Sequence, residues 1–231
     1  MFEGKLKALT FSFDDGITQD QRLIEIFNKY NLKCTFNINS ELLGKAGSLV
    51  REDVTVAHCK PRDCEIAKIY KDHEVAAHTL THPFLPSLDD EEVIRQVESD
   101  RINLSKLVGY EVKGMAYPGG GKNNDERIAK LIKENTKVKY CRTIVSTCNF
   151  DIQSDLFRFN PTERPANKKS LEDLTRKFID LKPESPQLFY IWGHSFEFDI
   201  DNSWDWFEDI CKELSNRKDI FYGTNSQVFG L

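Results

Sequence analysis

Short runs of β-forming residues alternate with amphipathic stretches along the whole 231-residue chain, and this alternation limits its possible folds more than any other feature. Strands are predicted at Lys7–Phe13, Lys33–Ile38, Glu74–Ala77, Val112–Tyr117, Val138–Val145, Gln187–Trp192 and Ile220–Tyr222. Helices are predicted near Asp20–Tyr30, Arg62–Tyr70, Leu88–Val108, Asn124–Glu134, Leu171–Leu181 and Trp204–Leu214. In the first helix Leu23, Ile24, Ile26, Phe27 and Tyr30 form a stripe at helical spacing. In the last, Trp204, Phe207, Ile210, Cys211 and Leu214 share one side and read as core. Ser87-x-x-Asp90 and Ser170-x-x-Asp173 predict capping boxes at two helix starts. No repeat or Gly/Ser linker interrupts the pattern, so residues 1–231 read as one α/β domain of parallel type with about seven strands. Parallel β/α folds gather their chemistry at the C-terminal ends of strands.

Polar clusters stand at those ends. The first strand runs into Asp14-Asp15-Gly16. Two carboxylates at the end of an apolar strand are costly to bury without cations or hydrogen bonds, although Asp-Gly alone is an ordinary turn signal. The third strand ends at His78, followed by Thr79-Leu80-Thr81-His82-Pro83, in which the proline and threonines disfavour a helix. Two imidazoles four residues apart in a turn, with one aspartate, make a three-ligand site with an open position for water, as catalytic zinc requires. The fourth strand ends in Tyr117-Pro118-Gly119-Gly120-Gly121, where glycines let backbone approach a ligand. The penultimate strand ends in Gly193-His194-Ser195, and His194 is a candidate acid or base at neutral pH. His73 precedes its strand and reads as structural; His58 lies in a stretch without an assigned element and receives no role.

Composition narrows the function classes. The net charge is −5 with both signs interspersed, which argues against nucleic-acid binding. There is no eighteen-residue apolar run for a membrane span, and the start of the chain lacks a secretory signal, so a cytoplasmic location is expected. Six cysteines without C-x-x-C spacing read as buried or free thiols. Cys59 and Cys64 beside His58 are a weak metal or redox motif, and an ordinary loop explains them as well.

Together TFSFDDG, HTLTH, a degenerate AYPGG and WGH resemble, in order, the motifs of the polysaccharide deacetylase family, carbohydrate esterase family four. The resemblance implies a distorted, incomplete (β/α) barrel. It also implies removal of an N-acetyl or similar acyl group from a sugar-like small molecule or oligosaccharide by metal-activated water. By position, Asp14 resembles the catalytic base, Asp15, His78 and His82 the ligands of a divalent transition metal such as zinc, and His194 the acid that protonates the departing amine. The N–H of Gly119 resembles the oxyanion donor, with Tyr117 a candidate substrate contact beside it. The chain also departs from the family pattern. Ala116 stands where an arginine normally holds the base, Gly119 stands where an aromatic is usual, and the aspartate–tryptophan segment expected around Cys148-Asn149-Phe150 is missing. No residue clearly replaces the aspartate that tunes the acidic histidine. Arg142, on the strand after that of Ala116, is a candidate for the missing guanidinium, since neighbouring strands lie ~4.8 Å apart. A surface ion pair is the alternative for Arg142. Two other functions stay open: hydrolysis of another small amide, and metal-containing sugar binding without catalysis.

Overall fold

The computed structural model describes residues 2–51 and 53–231. Strand β1 (Lys7–Asp15) is buried at every position. One edge pairs along its length with β8 (Gln187–Gly193). The other pairs with β9 (Ile220–Tyr222) at its start and β2 (Cys34–Ile38) at its end. Beyond β2 follow β5 (Glu74–Ala77), β6 (Gly114–Ala116) and β7 (Tyr140–Arg142), all parallel. These make a curled, open seven-stranded half-barrel in the order β7-β6-β5-β2-β1-β8, with β9 joined to β1. Between the edge strands β7 and β8, residues 159–163 form isolated parallel bridges through Phe159 to Arg142 and Glu163 to Ile191.

The helices α1 (Asp20–Lys29), α2 (Asp63–Ile69), α3 (Asp90–Val108), α4 (Glu126–Asn135), α5 (Lys168–Asp180) and α7 (Trp204–Leu214) fall where the periodicity predicts them. Their apolar stripes supply the core: Leu23 and Phe27 of α1 and Phe207 and Leu214 of α7 are fully buried. Phe11 and Phe13 of β1 meet Phe27 and Phe207 there. Parallel strands covered in this way lose the apolar–polar alternation of half-exposed sheets, which is why β1 reads as a continuous run.

Several local expectations are corrected. Strand β3 (Ser48–Arg51) pairs antiparallel with β4 (Val54–Ala57), in a stretch that the sequence leaves unassigned. Most of its positions are exposed, so burial imposes no pattern on it. Two short helices, α6 (Glu197–Ile200) and α8 (Asn225–Phe229), are too brief to show a period. Neither predicted capping box forms. The cap of α3 is Asp89, which accepts from the Glu92 N–H at 2.9 Å, while Ser87 donates to the Phe84 carbonyl. Ser170 lies inside α5, which begins at Lys168, and its hydroxyl donates to Glu163. Strand β7 covers only Tyr140–Arg142, shorter than the predicted Val138–Val145.

Candidate active site

Five strand ends meet at one rim of the half-barrel. β1 brings Asp14 and Asp15, the turn after β5 brings His78 and His82, β6 leads into Tyr117 and Gly119, β7 ends at Arg142, and β8 leads into His194. All of these but Arg142 line one cleft of about 410 Å³, and Arg142 lies fully buried beneath it against Asp14.

The backbone at the rim is held in unusual conformations. Asp15, Thr79 and His82 have φ of 81°, 67° and 60°, in the left-handed region that L-residues seldom occupy. A β-branched threonine there carries strain that neighbours must hold. Asn39 supplies part of that hold, since its side-chain N–H groups donate to the carbonyls of His78 and Thr79 at 2.5 and 3.0 Å. Gly16 follows with φ 57°, and a Cβ there would lie 2.9 Å from the Ile38 side chain. The tight exit from β1 therefore requires glycine at this position.

Asp15, His78 and His82 each offer a donor atom within 4.8 Å of the others. Nε2 of His78 and of His82 lie 3.9 and 3.7 Å from Oδ1 of Asp15. Tetrahedral bonds of ~2.1 Å put ligand atoms ~3.4 Å apart, so the cluster needs little contraction to hold a transition ion. Nδ1 of His78 lies 2.8 Å from the Ala116 carbonyl, a contact in which that nitrogen carries the proton and Nε2 keeps its lone pair. The residue standing where the family has arginine thus orients a candidate ligand through its backbone. Burial lowers His78 to about 4, against the opposing pull of Asp14 and Asp15, and it also lowers His82. Burial alone would raise Asp15. His58, His194, Lys60 and His78 outweigh it and hold the carboxyl well below its ordinary range. All three donors are therefore in the proton-free form that metal binding needs.

Asp14 is 2% exposed and Arg142 fully buried. Nη2 of Arg142 donates to Asp14 Oδ1 at 2.5 Å and also to Oδ2, while Nη1 donates to the Thr143 carbonyl at 2.9 Å. The guanidinium lies 4.5 Å from the centre of the Trp192 ring. Asn37, paired with Asp14 across β1 and β2, donates to Oδ1 at 2.8 Å. The guanidinium thus stands next to the carboxylate rather than in a surface ion pair.

His194 has a carboxylate neighbour that sequence reading did not find. Glu197, the first residue of α6, places Oε1 3.5 Å from Nδ1 of His194. At that length the contact is an ion pair, and no hydrogen bond satisfies Nδ1 among the described residues. Burial works against protonation of His194, but Glu197, Asp15 and Asp14 overcome it and raise the imidazole to about 8. The signal was a Glu three residues beyond a candidate acid. It is visible only once the chain is known to turn helically there.

The β3–β4 pair also changes the reading of His58. Nε2 of His58 lies 3.1 Å from Oδ2 of Asp15, the oxygen not facing the other two candidate ligands, and Nζ of Lys60 donates to the Asp15 carbonyl at 2.5 Å. Cys59 and Cys64 are free thiols and take no part in the cluster. Gly119 lines the cleft with φ 82°. Tyr117 lines it too, and its hydroxyl donates to the Phe157 carbonyl at 2.7 Å. His73 lies outside the cleft, packed against Phe27 and Phe36, and burial lowers it to about 4.

The polysaccharide deacetylase family model matches residues 3–137. Among curated proteins, a chitooligosaccharide deacetylase from Rhizobium leguminosarum bv. phaseoli is 29% identical over 117 residues, 49% of this chain and 41% of that protein. The match thus spans less than half of that relative. The fold is similar to the Xyl-CE4 domain of a multidomain xylanase from the hindgut metagenome of Trinervitermes trinervoides, with TM-score 0.60, 15% identity, and coverage of 97% of this chain and 90% of that one. It is similar also to a peptidoglycan deacetylase from Bacillus subtilis, with TM-score 0.57, 17% identity, and coverage of 98% and 91%. A CE4 family pseudoenzyme from Bacillus anthracis gives TM-score 0.55, 15% identity, and coverage of 96% and 64%. At these identities the structural likeness concerns the fold alone.

Proposed function

The chain belongs to the polysaccharide deacetylase family, and on that premise we propose that it is a metal-dependent hydrolase that removes an N-acetyl or similar acyl group from a sugar-like substrate. One observation carries the reading: a donor triad, an arginine-held carboxylate and a carboxylate-backed histidine converge on a single cleft. A sugar-binding protein needs only the first of these. A base and an acid, each with its own charged partner, serve turnover.

Asp15, His78 and His82 would hold the ion, and their mixed N/N/O set suits zinc and also iron, cobalt or nickel. Such an ion supplies Lewis acidity to the amide carbonyl and makes water easier to deprotonate. Asp14, held in place by Arg142 and Asn37, takes the proton from water as the oxygen attacks the carbonyl carbon. The backbone N–H of Gly119, which also lines the cleft, would receive the developing oxyanion. His194, protonated near neutral pH, gives its proton to the amide nitrogen. The C–N bond then breaks to an amine rather than an amide anion. The products are the free amine and the carboxylate of the acyl group.

Asp14→Asn keeps the shape of the side chain and removes its basicity. Turnover on an N-acetyl sugar that the native protein deacetylates should fall by ~10²–10⁴-fold, with metal content unchanged by elemental analysis. Full activity in this variant would remove Asp14 from the base role.

A further inference from the structure

Resting on that reading, we infer that the cleft takes an N-acylated sugar carrying an anionic group, with the anion on the amine side of the bond to be cut. The charge balance of the cleft points to this. The cleft and the guanidinium beneath it hold three carboxylates, Asp14, Asp15 and Glu197, against four permanent cations, Arg51, Lys60, Arg142 and Arg164, before His194 or any ion is counted. Lys60 and Arg164 lie 4.0 and 3.8 Å from Asp15 and Glu197, and the cations still outnumber the carboxylates, in a chain whose net charge is −5. A surplus of positive charge confined to a concave site inside an acidic protein focuses the field on anions.

The two arginines are placed with respect to the reacting groups. The Arg51 guanidinium, at the end of β3, lies 5.8 Å from the centre of the Phe196 ring, and that of Arg164 lies 5.8 Å from the centre of the Trp192 ring. Phe196 and Trp192 both neighbour His194, with ring centres 5.1 and 5.9 Å from the imidazole. His194 therefore stands between two aromatic rings that each carry a guanidinium. Arg164 also lies 3.8 Å from Glu197. Because His194 serves the departing nitrogen, an anion met by these arginines belongs to the sugar and not to the acyl group. Leu49 and Arg51 of β3 wall one side, and about 410 Å³ suits a small sugar derivative. Planar forks of donors recognise carboxylate and phosphate equally well in geometry.

The test uses metal-replete protein and four probes: N-acetylglucosamine, its 1-phosphate, its 6-phosphate and its 6-carboxylate. Binding is followed by calorimetry, and acetate release is followed in parallel. At least one anionic probe should bind ~10–100-fold more tightly than the neutral sugar, as expected for a hydrogen-bonded charge pair. The preferred probe tells phosphate from carboxylate. In an Arg51→Gln, Arg164→Gln variant that advantage, read as the ratio of anionic to neutral affinity in the same protein, should vanish. Equal binding of all four probes, no binding of any, or a preference that survives the double variant would overturn the anion site. Arginine-dependent binding without acetate release would support the site and remove the deacetylase reading. Acetate release without anion preference would do the reverse.

Discussion

Arg142 brings a permanent charge to a place that is fully buried, and only a close anion makes that tolerable. Asp14 is that anion, so each residue stabilises the other's burial, and the pair fixes where the carboxylate points. Arg142→Ala should leave Asp14 free to swing and cut turnover by ~10²-fold or more, since small displacements of a reacting group have effects of that size. Metal content should stay unchanged, because Arg142 touches none of the three candidate ligands. Loss of metal together with activity would instead make Arg142 a support of the donor cluster. Glu197 acts on the His194 imidazole through the carboxylate 3.5 Å from Nδ1. Glu197→Gln removes a carboxylate that raises the imidazole, so the variant histidine loses its proton at lower pH than about 8. The alkaline limb of kcat, where the acid form disappears, should move to lower pH, with the maximum rate less affected. An unmoved limb would show that His194 is not the group titrating there. Arg142 was legible in the sequence because strand order puts its strand beside that of Ala116. Glu197, His58 and Arg164 were not, because each reaches the cleft from an element without a period or from an irregular segment.

At the scale of elements, long buried strands and amphipathic helices were legible because burial on fixed faces leaves a period. The β3–β4 pair was not, since nothing packs over most of it. What joins the elements at the rim is also invisible in one dimension. Asp20, at the start of α1, is fully buried and accepts hydrogen bonds from Ser195 after β8, from Tyr70 at the end of α2 and from the Ile17 N–H. Burial raises its carboxyl to about 7 even though those three donors pull it down. The folded chain thus binds this proton more tightly than the unfolded chain does. Its contribution is greatest below the ordinary value of 3.8, falls as pH rises towards about 7, and is flat above. The full change is on the order of 4 kcal/mol. Asp20→Asn has no proton to lose. Urea unfolding at pH 4 to 8 should therefore show a flatter profile for the variant, which gains on the native protein as pH rises. Parallel profiles would mean that Asp20 ionises in the fold as it does in an open chain.

Across the whole molecule, the proposed metal centre ties together regions far apart in sequence. Asp15 ends the central strand, and His78 and His82 lie two strands away beyond β2, held in strained backbone that Asn39 braces. An ion that binds this arrangement and not the open chain must stabilise the fold by mass action. With free zinc at a hundred times its dissociation constant the gain is ~2.7 kcal/mol. For a chain of this length that corresponds to a rise in Tm of ~5–10 °C. Protein purified without added metal should carry a near-stoichiometric transition metal. Chelation should lower Tm, and zinc should restore it where magnesium and calcium do not, since those ions favour all-oxygen sites. The His78→Ala, His82→Ala variant should hold no such metal, and its Tm should not respond to zinc. A response that persists in the double variant, or one produced equally by calcium, would place the ion elsewhere and leave Asp15 as a carboxylate contacting His58 and Lys60.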